Sequence, residues 1–506
     1  MKRVFLLLSV LLFSICSQAQ GFLAAPQFKM NAVLKLDYKG FEKGSPVVIH
    51  SINSIGETDN QSTVNTRRSV YLVEINKQRA YIPFDSVTYL LEIPPFNVED
   101  FWQDEYSNYK MPKYYQKKGY RSSIRQGLMA DADEYTSNLN SLLYKDDYIQ
   151  DYIQTIFNGI VPRKLDANRP ERLTVEILQS PNPDAYMLPN GTLIISTGLL
   201  STLDSVKELT AIIASEVAHY ALDHHVMTVV QERARLRRAE IWGVVLVGIA
   251  TGIEAALIEN NENYIPGGLL ITAGVAGELL TASAIDQLGM GYSNKQICDA
   301  DDIAIRFLVR TGTDPAALRS ALSKIWAYYK EVKDDYALSR IGGYGNIDQR
   351  INRLRTPMTI SNREFQKKMA GVTTVNSIIQ LNSKNYEAAG KLARKNIDNK
   401  LASDEDYYIL IKANMNHTNS PEDNRRNLEL IQEAKSISPV PNLGLYKLEI
   451  LLYLRLDQQE QAIEALNRYM TMVSEFKQET TNSDDTRWAN EEIGWGNRLN
   501  RQLNLN

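Results

Sequence analysis

Cysteine is nearly absent from this 506-residue chain: there are two, Cys16 and Cys298. Cys16 sits in a stretch that reads as a removable leader, so a processed chain keeps one thiol and forms no intramolecular disulfide. Histidine is scarce too. There are five, a thin supply for metal chemistry, and three of them are His219, His224 and His225. No sign of charge dominates: 56 Lys and Arg against 60 Asp and Glu give a formal net charge of −4. That balance gives no reason to expect nucleic acid as a partner. Long apolar runs are also missing. Residues 4–15 and 241–253 are apolar, but both runs are shorter than the roughly 20 residues a membrane-spanning helix needs. With 44% hydrophobic residues, the chain is able to bury cores in two to four domains.

The N-terminus has the form of an export signal. Lys2 and Arg3 precede the apolar run, and Ser17-Gln18-Ala19 places small residues at −3 and −1 for cleavage before Gln20. Bulky Ile15 before Cys16 argues against lipid attachment. A signal peptide over 1–19 with a short basic start predicts export into the periplasm or cell envelope of a Gram-negative bacterium.

Residues 28–95 alternate and cluster β-formers between Gly, Asn and Asp, which predicts a small β module of SH3-like form. Residues 96–120, with Pro112 and many aromatic and polar side chains, read as a linker. Apolar positions recur at helical spacing over 122–160. Leu173-Thr-Val-Glu-Ile-Leu178 reads as a strand, and 185–198 as a hairpin turning at Pro189-Asn190-Gly191. A basic cluster (Arg233, Arg235, Arg237, Arg238) leads into 241–277, rich in Gly and Ala. That stretch suits either small-residue helices in the core or peripheral membrane contact with the arginines at the headgroups. Helices are expected over 295–309, 316–332 and 347–354, with a glycine loop at 342–345 between the last two. Beyond residue 370 the pattern becomes helical hairpins with Ala388, Ala389, Ala413, Ala434 and Ala462 at the seams. This predicts tetratricopeptide-like repeats over 370–478, a surface for peptides or partner proteins, and a C-terminal tail over 479–506.

The stretch Glu208 to His225, ELTAIIASEVAHYALDHH, carries the chemical signal. Glu216-Val-Ala-His219 is three-quarters of HExxH, the pattern in which two His one turn apart grip zinc and the Glu polarises the metal-bound water. Ser215 stands at the first His position. His224 and His225, five and six residues beyond His219, are expected on an ideal helix to point away from its face.

Residues 121–357 resemble the M48 family of zinc metallopeptidases. Asp184-Ala-Tyr-Met-Leu-Pro-Asn-Gly191 is similar to the family's NAFALPGG strand, and Thr197-Gly-Leu-Leu200 to its GLL. Ser293-Asn-Lys-Gln-Ile-Cys-Asp-Ala-Asp301 resembles SRxxExEAD. Asp314-Pro315 matches a DP, and Arg350-Ile-Asn-Arg-Leu354 resembles RIxxL. The resemblance implies an α+β fold: a mainly helical gluzincin domain with a small β-sheet, flanked by the β module and the repeats. It also implies Glu216 as general base, His219 as a zinc ligand, and Asp301 and Arg350 as supports behind the site. The departures fall on the chemistry. The first ligand is Ser215, the third falls on Ile297, the family's later His falls on Tyr344, and the Arg of SRxx is Asn294. Tyr344 keeps a hydroxyl able to donate to an oxyanion. Cys298, beside the lost ligand, is either a substitute thiolate or core filling.

Zinc needs about three protein ligands and an open position. A hydroxyl and a hydrocarbon beside one imidazole do not supply them. The expectation is therefore an envelope protein with an inactive peptidase site, free of cofactor. It would bind polypeptides or envelope proteins through its cleft and repeats, with an extended chain pairing beside residues 193–196. The alternative is an active zinc metalloendopeptidase with an atypical metal site.

Overall fold

The computed structural model describes residues 27–57, 66–93, 96–109, 118–163, 165, 169, 173–241, 288–331, 347–354 and 361–503. The expected signal peptide, nearly all of 241–277, the side chains of the arginine cluster and Tyr344 lie outside the described residues. Among the described residues, no helix is long and apolar enough to cross a membrane.

The chain begins with an antiparallel sheet: β1 Gln27–Leu34, β2 Pro46–Glu57, β3 Thr66–Ile75 and β4 Gln78–Pro83, then α1 Phe84–Leu90 and the two-residue β5 Leu91–Glu92. The strand order is β4-β3-β2-β1-β5. Ile75 pairs with Gln78 across Asn76 and Lys77, at φ 49° and 66°. Two left-handed residues give a turn whose twist matches the strands, and Asn adopts that conformation readily. Val47, Ile49, Val73, Ile75 and Ile82 are buried on the inner face.

The expected linker is in part a packed helix, α2 Val98–Asn108, capped by the Asn97 side chain on the Glu99 and Asp100 N–H groups. Trp102 is fully buried and its indole N–H donates to the Ile160 carbonyl at 2.6 Å. Phe96, Phe101 and Trp102 all contact Phe307 within 6.0 Å. The aromatic residues that suggested an irregular segment are its anchors, because each hides 150–250 Å² when an apolar partner is present.

Next come α3 Lys118–Asn138 and α4 Asp147–Asn158, the latter burying Ile149, Ile153 and Phe157 at four-residue spacing. The second sheet contains β6 Thr174–Leu178, β7 Ala185–Met187 and β8 Thr192–Ser196. The expected hairpin is present as β7 and β8, with Gly191 at φ 85° in its turn. β8, however, is the middle strand, parallel to β6 on one side and antiparallel to β7 on the other. Its main-chain groups are already paired. The expectation that a polypeptide would add beside 193–196 is therefore incorrect. Periodicity identifies a strand but not its neighbours, and the edge near the site belongs to β7.

The helices around the site are α5 Thr197–Thr202, α6 Val206–Ala221, α7 His224–Ile241, α8 Asn294–Arg310, α9 Ala316–Glu331 and α10 Ile347–Leu354. α6 is buried along nearly its whole length, from Glu208 to Ala221. The hairpin series follows: α11 Arg363–Asn382, α12 Tyr386–Asp398, α13 Asp404–His417, α14 Pro421–Ile437, α15 Leu443–Arg455, α16 Gln459–Glu479 and α17 Ser483–Leu503. Each packs on the next, and α11 also meets α13, and α13 meets α15. Residues 483–503, read as tail, form a helix that packs on α16 through Ala489 and Trp488.

α11 has a second allegiance. Its Phe365, Met369, Val372, Val375 and Ile379 belong to the same apolar cluster as Leu199 and Leu200 of α5 and Leu209 and Ile213 of α6. The Asn376 amide donates to Ser201 Oγ at 2.9 Å, and Lys395 Nζ reaches the Ser201 carbonyl at 2.7 Å.

Candidate functional site

α6 starts at Ser205, whose hydroxyl accepts from the Glu208 N–H. It ends at Leu222, and Asp223 follows at φ 57°. Two arginines fix this turn. Arg169 donates to the carbonyls of Tyr220 and Ala221 at 2.6 and 3.0 Å and to Asp223 Oδ1 at 3.0 Å. Arg125 binds the same carboxylate from the other side. Guanidinium charge at the last carbonyls suits the negative end of a helix, and Asp tolerates the left-handed conformation.

The turn decides where the histidines go. The helix does not continue, so α7 brings His224 back toward α6, with its Nδ1 3.0 Å from His219 Nδ1. The expectation that His224 points away from His219 is incorrect, because it assumed a single straight helix. His224 Nε2 lies 3.2 Å from the Tyr109 hydroxyl, and that hydroxyl donates to Asp299 Oδ2 at 2.8 Å. The Tyr292 ring stacks on His219 with centroids 3.9 Å apart and planes 24° apart. His225 Nε2 lies 2.8 Å from both the Met187 carbonyl and the Tyr292 hydroxyl. Sequence reasoning did not assign roles to Tyr109 and Tyr292. The usable signal was Asp223 directly before two histidines, a break point that brings the second segment back onto the first.

The supports behind the helix lie together. Ser215 Oγ donates to Asp301 Oδ1 at 3.3 Å, and Arg350 binds Asp301 through Nε at 2.9 Å and Nη2 at 2.6 Å. Asp301 and Arg350 are 0% and 1% exposed, so this ion pair is sealed from water. Ile297 precedes Asp301 by one turn of α8 and is buried. Cys298 is half-buried, and burial pushes its thiol above the usual value, away from the thiolate a metal would need.

Glu216 and His219 are 1% and 0% exposed. Burial pushes the Glu216 carboxyl up to about 8, against the pull of Arg350 and a hydrogen bond from the Met187 backbone, with Asp301 adding to the rise. At neutral pH it is largely an uncharged acid. Burial holds His219 and His224 well below the ordinary imidazole value, and brings His225 down to about 4. Among the described residues, Glu216 Oε2 and His219 Nε2 have no hydrogen-bond partner. The site therefore contains a neutral carboxyl and a neutral imidazole, closed over by Tyr292.

This donor set does not fit a catalytic zinc ion. His219 offers one imidazole, the Ser215 hydroxyl is turned to Asp301, and Ile297 has no lone pair. Among the described residues, no three His, Cys, Asp or Glu side chains converge to hold a metal. The sheet edge beside the site is occupied as well. The Met187 backbone is bound by both Glu216 and His225, so an added strand would have to displace both at that position.

The comparisons with known proteins agree with the helix-and-sheet arrangement. The chain is 24% identical over 205 residues to the Beta-barrel assembly-enhancing protease of Yersinia pestis, covering 39% of this chain and 37% of that protein. It is 26% identical over 102 residues to the mitochondrial Metalloendopeptidase OMA1 of Danio rerio, covering 20% and 21%. The similarity thus spans about a third or less of either relative's length. The model of peptidase family M48 matches residues 148–374, from α4 into α11.

Proposed function

We propose that this is a bacterial cell-envelope protein that uses the M48 fold to hold polypeptides rather than to cut them. The observation that carries this reading is the hydrogen bond of Ser215 to Asp301 beside Ile297, where two zinc ligands would stand. Without a metal, the attacking water keeps a pKa near 15.7 instead of about 7, a gap of roughly 12 kcal/mol that a carboxylate alone does not close. With Glu216 and His219 buried, contact with a client falls to the outer surfaces. The hairpin series α12 to α17 stacks in the manner of tetratricopeptide repeats, and the N-terminal sheet serves as an SH3-like docking module. The resemblance to the Beta-barrel assembly-enhancing protease of Yersinia pestis suggests β-barrel proteins as a client class. The basic segment entering 241–277 is a candidate for peripheral contact with the membrane.

One observation favours the second reading, an active zinc metalloendopeptidase with an atypical metal site. Glu216 Oε2 and His219 Nε2, the atoms such an enzyme would use, are the ones without partners. Zinc content of the purified full-length protein, combined with casein hydrolysis, separates the two readings. The first expects no stoichiometric zinc and no cleavage. Stoichiometric zinc with cleavage abolished in Glu216→Gln would replace it with the second. Capture of unfolded outer-membrane proteins by the full chain tests the binding role, and absence of capture would refute it.

A further inference from the structure

The five histidines leave few polar atoms to spare, yet three of them gather at one turn. Their hydrogen bonds form a chain whose proton positions can be derived. Asp299 carries an acceptor carboxylate, in contact with the exposed Lys295. Tyr109 has one hydroxyl proton, and it goes to Asp299 Oδ2 at 2.8 Å. A hydroxyl that has given its proton away still has lone pairs, so the group 3.2 Å from it, His224 Nε2, must donate. A neutral His224 with its proton on Nε2 has a bare Nδ1. That nitrogen faces His219 Nδ1 at 3.0 Å, so His219 must carry its proton there.

The escapes are a doubly protonated His224 and a doubly protonated His219. Either would place a cation at 0% exposure against the other imidazole, with no carboxylate hydrogen-bonded to either ring among the described residues.

We infer that Tyr109, His224 and Asp299 are positioning residues that fix His219 in the Nδ1–H tautomer and leave its Nε2 as a bare lone pair facing the closed site. Nε2 is the His219 atom without a partner among the described residues. The stacked Tyr292 ring clamps the same imidazole from its face. The assignment rests on hydrogen bonds between side chains of this chain, so it holds without metal and independently of whether the protein cuts polypeptides. An imidazole is normally fixed in one tautomer by whatever binds its second nitrogen. Here the restraint comes from α2, through the tyrosine at its C-terminal end, from α7 and from α8.

The test is nitrogen-15 NMR of the histidine side chains in the full-length, zinc-free protein, with His219→Gln and His224→Gln used only to assign signals. The expected result is an Nδ1–H pattern for His219 and an Nε2–H pattern for His224. The Nε2–H pattern on His219, or an imidazolium pattern on either ring, would overturn the inference. Tyr109→Phe removes the acceptor for His224 and should give both tautomers of His219. Asp299→Asn keeps an acceptor for Tyr109 and should preserve the single tautomer. An unchanged His219 pattern in Tyr109→Phe would also overturn the inference. If the variants fail to fold, the tautomers of the unmodified protein still decide it.

Discussion

Ser215 Oγ donates to Asp301 Oδ1 across 3.3 Å, and Asp301 depends far more on Arg350, which holds it through two shorter bonds. The serine is a minor member of this trio. Ser215→Ala should cost no more than about 1 kcal/mol, the net value of an ordinary hydrogen bond. Arg350→Leu should cost about 3–5 kcal/mol, because it strands a carboxylate that is 0% exposed. Urea unfolding of the two variants measures the ratio. Equal losses would contradict this account.

The geometry that leaves zinc short of ligands also shows where ligands could be supplied. Ile297 lies one turn before Asp301 on α8, so the two share the face that meets α6 at Ser215. Ser215→His with Ile297→Glu should therefore gain zinc binding together with His219, whereas either substitution alone should not reach three ligands. Equilibrium dialysis against zinc measures this. Failure of a folded double variant to bind would mean that Ile297 does not face the site.

Glu216 makes stability depend on pH in a defined direction. Its folded value of about 8 lies above the ordinary 4.5, so the folded chain keeps a proton that the unfolded chain releases. This contribution is fully present below pH 4.5 and is lost as pH rises through 8. Between pH 5 and pH 7 it should fall by about 2–3 kcal/mol. Glu216→Gln removes the titration. The difference in unfolding free energy between variant and parent should grow in the variant's favour from pH 5 to pH 8. A difference independent of pH would show that Glu216 is charged in the folded protein.

Gly198 opens α5 against the loop before β7. A Cβ there would lie 2.4 Å from the carbonyl oxygens of both Pro181 and Asn182, which are backbone atoms with little freedom to move. Gly198→Ala should cost about 3 kcal/mol through forced displacement. A fall in the urea midpoint with an unchanged slope is the expected signature. A midpoint equal to that of the parent would show that the loop yields freely.

How much could be read in advance followed the range of each interaction. α4, α6, α8 and the β7–β8 hairpin were legible because spacing, caps and the Asn190-Gly191 turn are local signals. Ser215 and Ile297 could be placed because they occupy fixed positions in a known pattern. The central position of β8 was not legible, since its second neighbour β6 is parallel and comes from across a loop. The closeness of His224 was hidden by one residue, Asp223, whose left-handed conformation depends on Arg125 and Arg169 far away in sequence. Trp102 looked like linker because its partners, Ile160 and Phe307, lie 58 and 205 positions further on.

α11 is at once the first helix of the hairpin series and one wall of the core that holds α5 and α6. A fragment starting at residue 370 would lose Phe365 and Met369, and one ending there would uncover Leu199 and Leu200. No single cut near that point yields two intact pieces. Force applied to α11 or α12 is therefore passed, through Asn376 and Lys395, to the short helix that follows the central strand of the second sheet. Load on the outer helices reaches the fold around Glu216 without passing through a slack connector.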